Sequence, residues 1–134
     1  MSVFDAYVRL EGVLDGSVVS DEDMSHHTTY RIGGPAALYV NCTSVPDLAL
    51  ACDVLLEERV PWVVVGKGSN LLVCDDGYDG AVIALGPEFS SCDYGALDKR
   101  EGEKIELEIG DSYQVTVGAG YPLSRLVQKS RNLG

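Results

Sequence analysis

The chain has 134 residues and a mass of 14.4 kDa, with 46% hydrophobic and 23% charged residues, which suffices for one compact domain with a core. Its 21 acidic and 10 basic residues give a net charge of -11, which disfavours nucleic-acid and membrane partners because both carry negative phosphates. The sequence has no apolar run near the roughly 20 residues that span a bilayer and no signal-peptide pattern, so we expect a cytoplasmic protein.

The N-terminal half of the chain is predicted to contain a strand–helix–strand unit. Apolar spacing predicts a short helix over 3–14, the polar stretch Ser17–Thr29 predicts a loop, and Ala36–Val40 predicts a strand. Ser44 offers an N-cap for a helix that Pro61 closes. The β-prone run WVVV at 62–65 then predicts a buried strand. This order is typical of an α/β sheet.

The second half is predicted to contain further strands and a final helix. Leu71–Val73 and Ala81–Leu85 predict two strands separated by a turn. Alternating apolar residues over 105–117 predict a hairpin with one wet face. Pro122 opens a last helix, with Gly134 at the expected C-cap position. Because the chain stops at this cap, we expect it to be a fragment of a longer protein.

The cysteines are not expected to form disulfides, a zinc site or a nucleophile. They are widely spaced, and no two form a C-x-x-C pair. We expect reduced thiols that pack as small apolar residues. The four are Cys42, Cys52, Cys74 and Cys92.

The glycine-rich loop Gly66–Asn70 is the most informative segment for function. A strand that runs into Gly-Lys-Gly-Ser-Asn leaves several backbone N–H groups open to a phosphate, and Lys67 adds a positive charge. The Walker pattern is excluded because glycine follows the lysine. The dinucleotide fingerprint is excluded because Leu71 occupies the third glycine position. From spacing alone, an ordinary connecting loop and a phosphate-binding loop remain about equally supported.

Other candidate sites carry weaker signals, and we predict no metal site. The adjacent pair His26-His27 does not share a face on a helix or a strand, so a solvated loop is favoured over metal binding. The acidic turn 75–80 lacks the third and twelfth ligands of a calcium loop. The glutamates of 101–108 are typical of a hairpin's wet face rather than of an acid/base pair.

Four blocks of sequence resemble the N-terminal part of the UDP-N-acetylenolpyruvoylglucosamine reductase family. They occur in the family's order between residues 27 and 134. The first 26 residues and the segment 87–114 carry no recognisable motif of the family. The blocks are HTTYRIGGPA at 27–36, VGKGSNLL at 65–72, GAVI at 80–83, and VGAG at 117–120 followed by Pro122-Leu123 and Leu126-Val127.

The resemblance implies an α/β (α+β) flavoprotein of the vanillyl-alcohol-oxidase type, with a PCMH-type FAD-binding domain of two small α/β subdomains. It implies an N-terminal helix and loop at 1–26, a first subdomain at 27–80 and the start of a truncated second subdomain at 81–134, with the substrate-binding domain absent. The implied parent enzyme is an NADPH-dependent oxidoreductase. It would reduce UDP-N-acetylglucosamine-enolpyruvate to UDP-N-acetylmuramate for peptidoglycan synthesis, with FAD carrying the hydride.

The resemblance also implies which residues bind the cofactor. The glycine loop would hold the FAD pyrophosphate, and a second glycine segment would lie near the flavin. The family's catalytic arginine, serine and glutamate have no counterpart here, so we assign no catalytic residue and expect the chain alone to be inactive. The cofactor residues would be Val65, Gly66, Lys67, Gly68, Ser69, Asn70 and Leu71 in the loop, and Gly118, Ala119 and Gly120 in the second segment.

Two alternative functions and one further property belong with this hypothesis. The chain could be a non-catalytic module that binds a nucleotide or phosphate through the glycine loop alone. It could instead belong to another flavin oxidoreductase of the same superfamily. The exposed edge strands and apolar surface of an unfinished sheet would also let the chain self-associate.

Overall fold

The computed structural model describes residues 1–66, 71–94 and 114–133, with only the backbone of residue 133 included. These residues form helices and strands in a mixed α/β arrangement, as the sequence predicts. Two 3-10 turns, Met24–His26 and Pro87–Phe89, join some of the elements. The helices are α1 (Val3–Leu10), α2 (Val45–Glu57) and α3 (Leu123–Leu133), and the strands are β1 (Ser17–Asp23), β2 (Pro35–Cys42), β3 (Trp62–Val65), β4 (Tyr78–Leu85), β5 (Cys92–Asp93) and β6 (Thr116–Val117).

The larger sheet has four strands in the order β1-β2-β4-β3. The strands β2, β4 and β3 are parallel, whereas β1 pairs antiparallel with β2 at one edge. Helix α2 connects β2 to β3, which confirms the predicted strand–helix–strand unit. Strand β4 lies between them, and its residues 80–83 are all buried because both faces of a central strand are covered.

The two faces of this sheet are covered in different ways. Helices α1 and α2 pack on one face, where Leu38, Val40 and Ile83 are fully buried. The opposite face carries a smaller cluster around Met24 and Val82, covered by loop residues rather than by a helix. Tyr39 and Val65, which pack against this second cluster, also line a cavity at the strand ends.

Three predictions about individual elements are wrong. The run WVVV at 62–65, predicted to be a buried strand, forms the edge strand β3, in which Trp62, Val63 and Val64 are exposed. The stretch predicted as a loop over Ser17–Thr29 contains β1 and a 3-10 turn, because the free edge of β2 supplies hydrogen-bonding partners that the local sequence does not signal. The predicted strand Leu71–Val73 is an irregular segment instead. The side chains of Leu71 and Val73 pack against the Met24 and Val82 cluster, so their hydrophobicity reflects burial on the sheet face, whereas Leu72 is exposed.

The predicted elements toward the C-terminus are only partly described. Helix α3 confirms the last predicted helix. Most of the predicted hairpin, 105–113, and the predicted cap Gly134 lie outside the described residues. Strand β6, at the end of the predicted hairpin, pairs antiparallel with β5. The predicted subdomain boundary between residues 80 and 81 falls within the continuous strand β4.

Candidate functional site

A cavity lies where the parallel strands end. Strands β2, β4 and β3 run in the same direction, so their carboxyl ends share one edge of the sheet. Ligands of open α/β sheets commonly bind outside this edge. The cavity has a volume of about 490 Å³, and it is lined by Val65 and Gly66, by 84–86, by Tyr39 and Asn41, and by the loop residues 26–29.

The glycine loop predicted from the sequence is described only at its two ends. Val65 and Gly66 line the cavity. Leu71 is half-buried and packs against the cluster on the helix-free face. The remaining four predicted residues, Lys67, Gly68, Ser69 and Asn70, lie outside the described residues.

The second predicted segment, Gly118–Gly120, lies beside the first. A Cβ placed on Gly66 would be 3.6 Å from the carbonyl oxygen of Ala119. The two stretches, more than fifty residues apart in sequence, therefore approach each other through their backbones. Gly118 N–H donates to Ser91 O at 2.8 Å, and Gly120 N–H donates to Phe89 O at 2.8 Å, which fixes the second segment.

The fold also brings together side chains that the sequence analysis did not assign to a site. The His27 ring stacks on the Tyr39 ring, with centroids 4.0 Å apart and planes inclined by 19°. His27 Nε2 lies 2.8 Å from Glu22 Oε1. Burial, followed by the Glu22 charge, raises the pKa of Tyr39, so its hydroxyl stays protonated at neutral pH. Only the pairing of β1 with β2 places Glu22 here, so the sequence carried no local signal for this group.

The cavity differs in charge from the rest of the chain. None of the described residues that line it is an aspartate or a glutamate, although the chain carries 21 acidic residues. Two histidines and two threonines contribute to its wall. The described lining itself therefore carries no carboxylate, and the neighbouring Glu22 carboxylate is paired with His27 at 2.8 Å.

Metal and thiol chemistry receive no support from the described residues. Within 1–66, 71–94 and 114–133, no group of three or more His, Cys, Asp or Glu residues could hold a metal ion. All four cysteines are free thiols. Burial, and then the Asp47 and Cys52 groups, raise the pKa of Cys42 to about 11, which keeps this thiol protonated and unreactive. No helix in the described part is long and apolar enough to cross a membrane.

Comparison with known proteins finds close relatives of one kind, although no family model matches the chain. A UDP-N-acetylenolpyruvoylglucosamine reductase from Bacillus subtilis is 42% identical over 111 residues, covering 83% of this chain and 31% of the relative. The reductase of the same name from Geobacter sulfurreducens is 36% identical over 126 residues, covering 94% of this chain and 37% of the relative. The chain thus spans about a third of the length of these relatives.

A solved structure agrees with the sequence relatives. The crystal structure of UDP-N-acetylenolpyruvylglucosamine reductase (MurB) from Thermus caldophilus has a TM-score of 0.57 and 29% sequence identity to this chain. It matches 90% of this chain and 35% of its own. The sequence and the fold of this chain are therefore similar to the same kind of protein.

Proposed function

We propose that this chain, a homologue of the UDP-N-acetylenolpyruvoylglucosamine reductases over about a third of their length, is the FAD-binding part of such a reductase. One observation carries the proposal. Gly66 and Ala119, from the two segments that the family resemblance assigns to the cofactor, approach each other beside the cavity at the strand ends. Backbone that is free of side chains on two sides suits a pyrophosphate-containing cofactor.

The residues near Gly66 are compatible with an anionic cofactor. Its backbone needs no special torsion angle, and a Cβ there would make only an ordinary contact among the described residues. Packing among the described residues therefore does not require glycine at this position, and the missing side chain leaves room for a ligand. We propose that Gly66 and the following residues to Leu71 bind the pyrophosphate through backbone N–H groups, with Lys67 adding positive charge. Gly118, Ala119 and Gly120 would border the flavin.

The proposed parent reaction is the NADPH-dependent reduction of UDP-N-acetylglucosamine-enolpyruvate to UDP-N-acetylmuramate, a step of peptidoglycan synthesis in the cytoplasm. When bound, FAD would supply hydride transfer from NADPH to the enolpyruvyl double bond. The contribution of this chain would be to bind and orient that cofactor. We assign none of its 134 residues to proton transfer and propose that the chain alone does not turn over substrate.

The proposed domain is the PCMH-type FAD-binding domain with its two subdomains. We propose that the first subdomain is the four-stranded sheet with α1 and α2, and that the second begins after β4. The continuity of β4 supports a junction near Gly86 rather than at residue 80. Strands β5 and β6 and helix α3 would then belong to the second subdomain.

Titration of the chain with FAD tests the proposed function. We expect saturable binding, seen by calorimetry and by a change in flavin fluorescence. Gly66→Asp should weaken it at least about tenfold, because the carboxylate would oppose the pyrophosphate at close range. Asn132→Asp is the charge-matched control, since Asn132 is exposed on α3 and does not line the cavity.

Three other outcomes would decide against parts of the proposal. Absence of FAD binding would contradict the flavoprotein assignment. FAD binding that Gly66→Asp leaves unchanged would contradict the role of this loop. Binding of ADP as tight as that of FAD would favour the alternative of a nucleotide-binding module, because the flavin would then add nothing to the affinity.

A further inference from the structure

A second cavity lies on the face of the sheet that the helices cover. It has a volume of about 440 Å³ and opens between α1 and the strands β1 and β2, and we refer to it as the α1 groove. None of the described residues lines both this groove and the cavity at the strand ends. The α1 groove is lined by Val3, Phe4 and Tyr7 from α1, Ser20 and Asp21 from β1, and Ala37 and Leu38 from β2.

Strand β2 separates the α1 groove from the cavity at the strand ends. Leu38 lines the groove and belongs to the core under the helices. Tyr39 lines the cavity at the strand ends and packs against the cluster on the other face. Because neighbouring residues of a strand point to opposite faces of a sheet, the two cavities lie on opposite sides of β2. A ligand in the groove would therefore be bound apart from the proposed cofactor.

The α1 groove lies where the pairing of the strands is irregular. The ladder of paired residues between β1 and β2 skips Asp21 and Ala37. Asp21 has a φ of 52°, in the left-handed region that aspartate adopts more readily than most residues. The register of β2 against β4 also shifts between Ala36 and Leu38. An irregular stretch of the sheet thus borders α1 and lines the groove.

The floor and one wall of the α1 groove are apolar. Leu38 is fully buried, and Val3 and Tyr7 pack against the main core while remaining half-buried. Phe4 is 74% exposed and lies three residues before Tyr7, so the two rings lie on the same side of α1. An aromatic ring that is this exposed contributes little to the core and is accessible to a ligand. The groove therefore suits an apolar or aromatic group.

The rim of the α1 groove carries negative charge. Asp21 is exposed and takes part in none of the ion pairs between described residues. Arg9, the basic residue of α1, is paired with two glutamates at the end of α2, at 2.6 and 3.0 Å. The Glu11 carboxylate accepts a hydrogen bond from the Tyr7 hydroxyl at 3.2 Å, which leaves the hydroxyl oxygen able to accept from a ligand. This rim complements a cation that donates hydrogen bonds.

We infer that the α1 groove binds a small organic cation, an ammonium group on an apolar or aromatic body. The body lies between Phe4 and Leu38, and the ammonium group pairs with Asp21. The volume of the groove lies within the ordinary range of small-ligand sites. The inference is independent of the proposed function, because the groove and the cavity at the strand ends share no described lining residue.

The test compares two probes of similar size and opposite charge, 4-phenylbutylamine and 4-phenylbutyrate, as ligands of the whole 134-residue chain. Two-dimensional NMR of the backbone amides follows binding with a dissociation constant of about 1 mM, the range expected for ligands of this size. We expect the amine to bind saturably, with shifts centred on Phe4, Asp21 and Ala37. The butyrate should bind about tenfold more weakly, because one exposed carboxylate attracts the amine and repels the butyrate by about threefold each.

Substitution of Phe4 tests the place of the apolar body. Phe4→Ala should weaken binding of the amine about fivefold, because it removes one aromatic contact. Val8→Ala is the matched control, since Val8 is a 51% exposed residue of the same helix that does not line the groove. It should leave the affinity for the amine unchanged.

Substitution of Asp21 tests the place of the ammonium group. Asp21→Asn removes the charge and retains a side chain that tolerates the left-handed conformation. It should reduce the tenfold preference for the amine over the butyrate to about threefold or less. Asp53→Asn removes the same charge from an exposed position on α2 outside the groove, and it should leave the preference unchanged.

Circular dichroism and thermal melting of each variant separate a lost contact from a lost fold. Weaker amine binding in Phe4→Ala, together with a reduced charge preference in Asp21→Asn alone, supports the inference. An equal reduction in Asp21→Asn and Asp53→Asn overturns it, because the overall charge of the chain would then select the amine. Unchanged binding in folded Phe4→Ala and Asp21→Asn also overturns it.

Two outcomes with the wild-type chain also overturn the inference. The first is that the folded chain binds the amine no better than the butyrate. The second is that the amine does not bind and that Phe4→Ala reduces self-association in sedimentation, because a second copy of the chain would then cover the groove. Neither outcome bears on FAD binding, so the proposed function is tested separately.

Discussion

At the scale of single residues, two glycines that the family resemblance assigns to the same site, Gly66 and Gly118, have different physical reasons to be glycine. A Cβ on Gly118 would lie 2.2 Å from Phe89 O, so the close packing of that segment alone requires glycine. A Cβ on Gly66 would lie no closer than 3.6 Å to any described atom outside its chain neighbours. Packing therefore explains Gly118 without a ligand, whereas the explanation of Gly66 must come from outside the described contacts. A substitution of Gly66 therefore reports on ligand binding, whereas a substitution of Gly118 disturbs packing.

Asp47 is a buried charged residue whose loss should lower the stability of the fold. Its side chain is 4% exposed, and it accepts hydrogen bonds from the backbone N–H groups of Asp15, Gly16 and Thr43 and from the Thr43 hydroxyl. Burial opposes the charged form, but these four donors outweigh it and hold the pKa of Asp47 below its ordinary value of 3.8. Asp47→Asn places an amide NH2 against N–H donors and should cost about 2 kcal/mol of unfolding free energy.

The pH dependence of this effect has a definite sign. Because the folded-state pKa of Asp47 is lowered, its stabilisation is complete above 3.8, the ordinary value, and is lost as the pH falls below 3.8 toward the folded-state value. Urea unfolding at pH 7 and at pH 3 should therefore show a large difference between wild type and Asp47→Asn at pH 7 and a smaller one at pH 3. Asp53→Asn, an exposed position on the same helix, is the control. A difference that persists unchanged at pH 3 would contradict this account.

At the scale of elements, the sequence predicts the helices and strands that interactions between neighbouring residues stabilise. Helix α2 was predicted because Ser44 caps it, with its hydroxyl accepting from Asp47 N–H, and because its apolar face is regular. Strand β1 was missed because its polar, mostly exposed residues form a strand only by pairing with β2. The group of Glu22, His27 and Tyr39 was missed for the same reason, since these residues meet only after the sheet has formed.

The loop that follows β1 depends on one buried hydroxyl. Thr28 is 6% exposed, and its side chain bonds to both the N–H and the carbonyl group of Ile32. Thr28→Val keeps the shape but leaves these two backbone groups without that partner, so it should lower the unfolding free energy by about 1–2 kcal/mol. The adjacent Thr29 is exposed, and Thr29→Val should change stability by less than about 0.5 kcal/mol. Denaturant midpoints of the two variants test this, and equal midpoints would show that the hydroxyl does not hold the loop.

At the scale of the whole molecule, net charge and exposed apolar surface oppose each other. The charge of -11 makes any two copies of the chain repel each other. Strand β3, however, pairs only with β4 among the described strands, and its other side forms an edge of the sheet. Trp62, Val63 and Val64 on this strand are 36%, 40% and 46% exposed, and no charged residue interrupts 60–66. An uncharged apolar edge of this kind favours pairing between chains.

We therefore predict that the chain self-associates through β3 and that salt strengthens the association. Added salt screens the repulsion between acidic chains but leaves strand pairing and apolar contacts in place. Sedimentation velocity over a range of concentrations should show more association at about 0.5 M salt than at about 0.05 M, where charges are screened over much longer distances. Val64→Lys should abolish it by placing a charge on the edge. Val8→Lys adds the same charge to a position on α1 that is 51% exposed, and it should have no such effect. If Val64→Lys and Val8→Lys reduce self-association equally, the added charge and not its position on β3 is responsible. If the chain is a monomer under every condition, charge repulsion outweighs the pairing of β3.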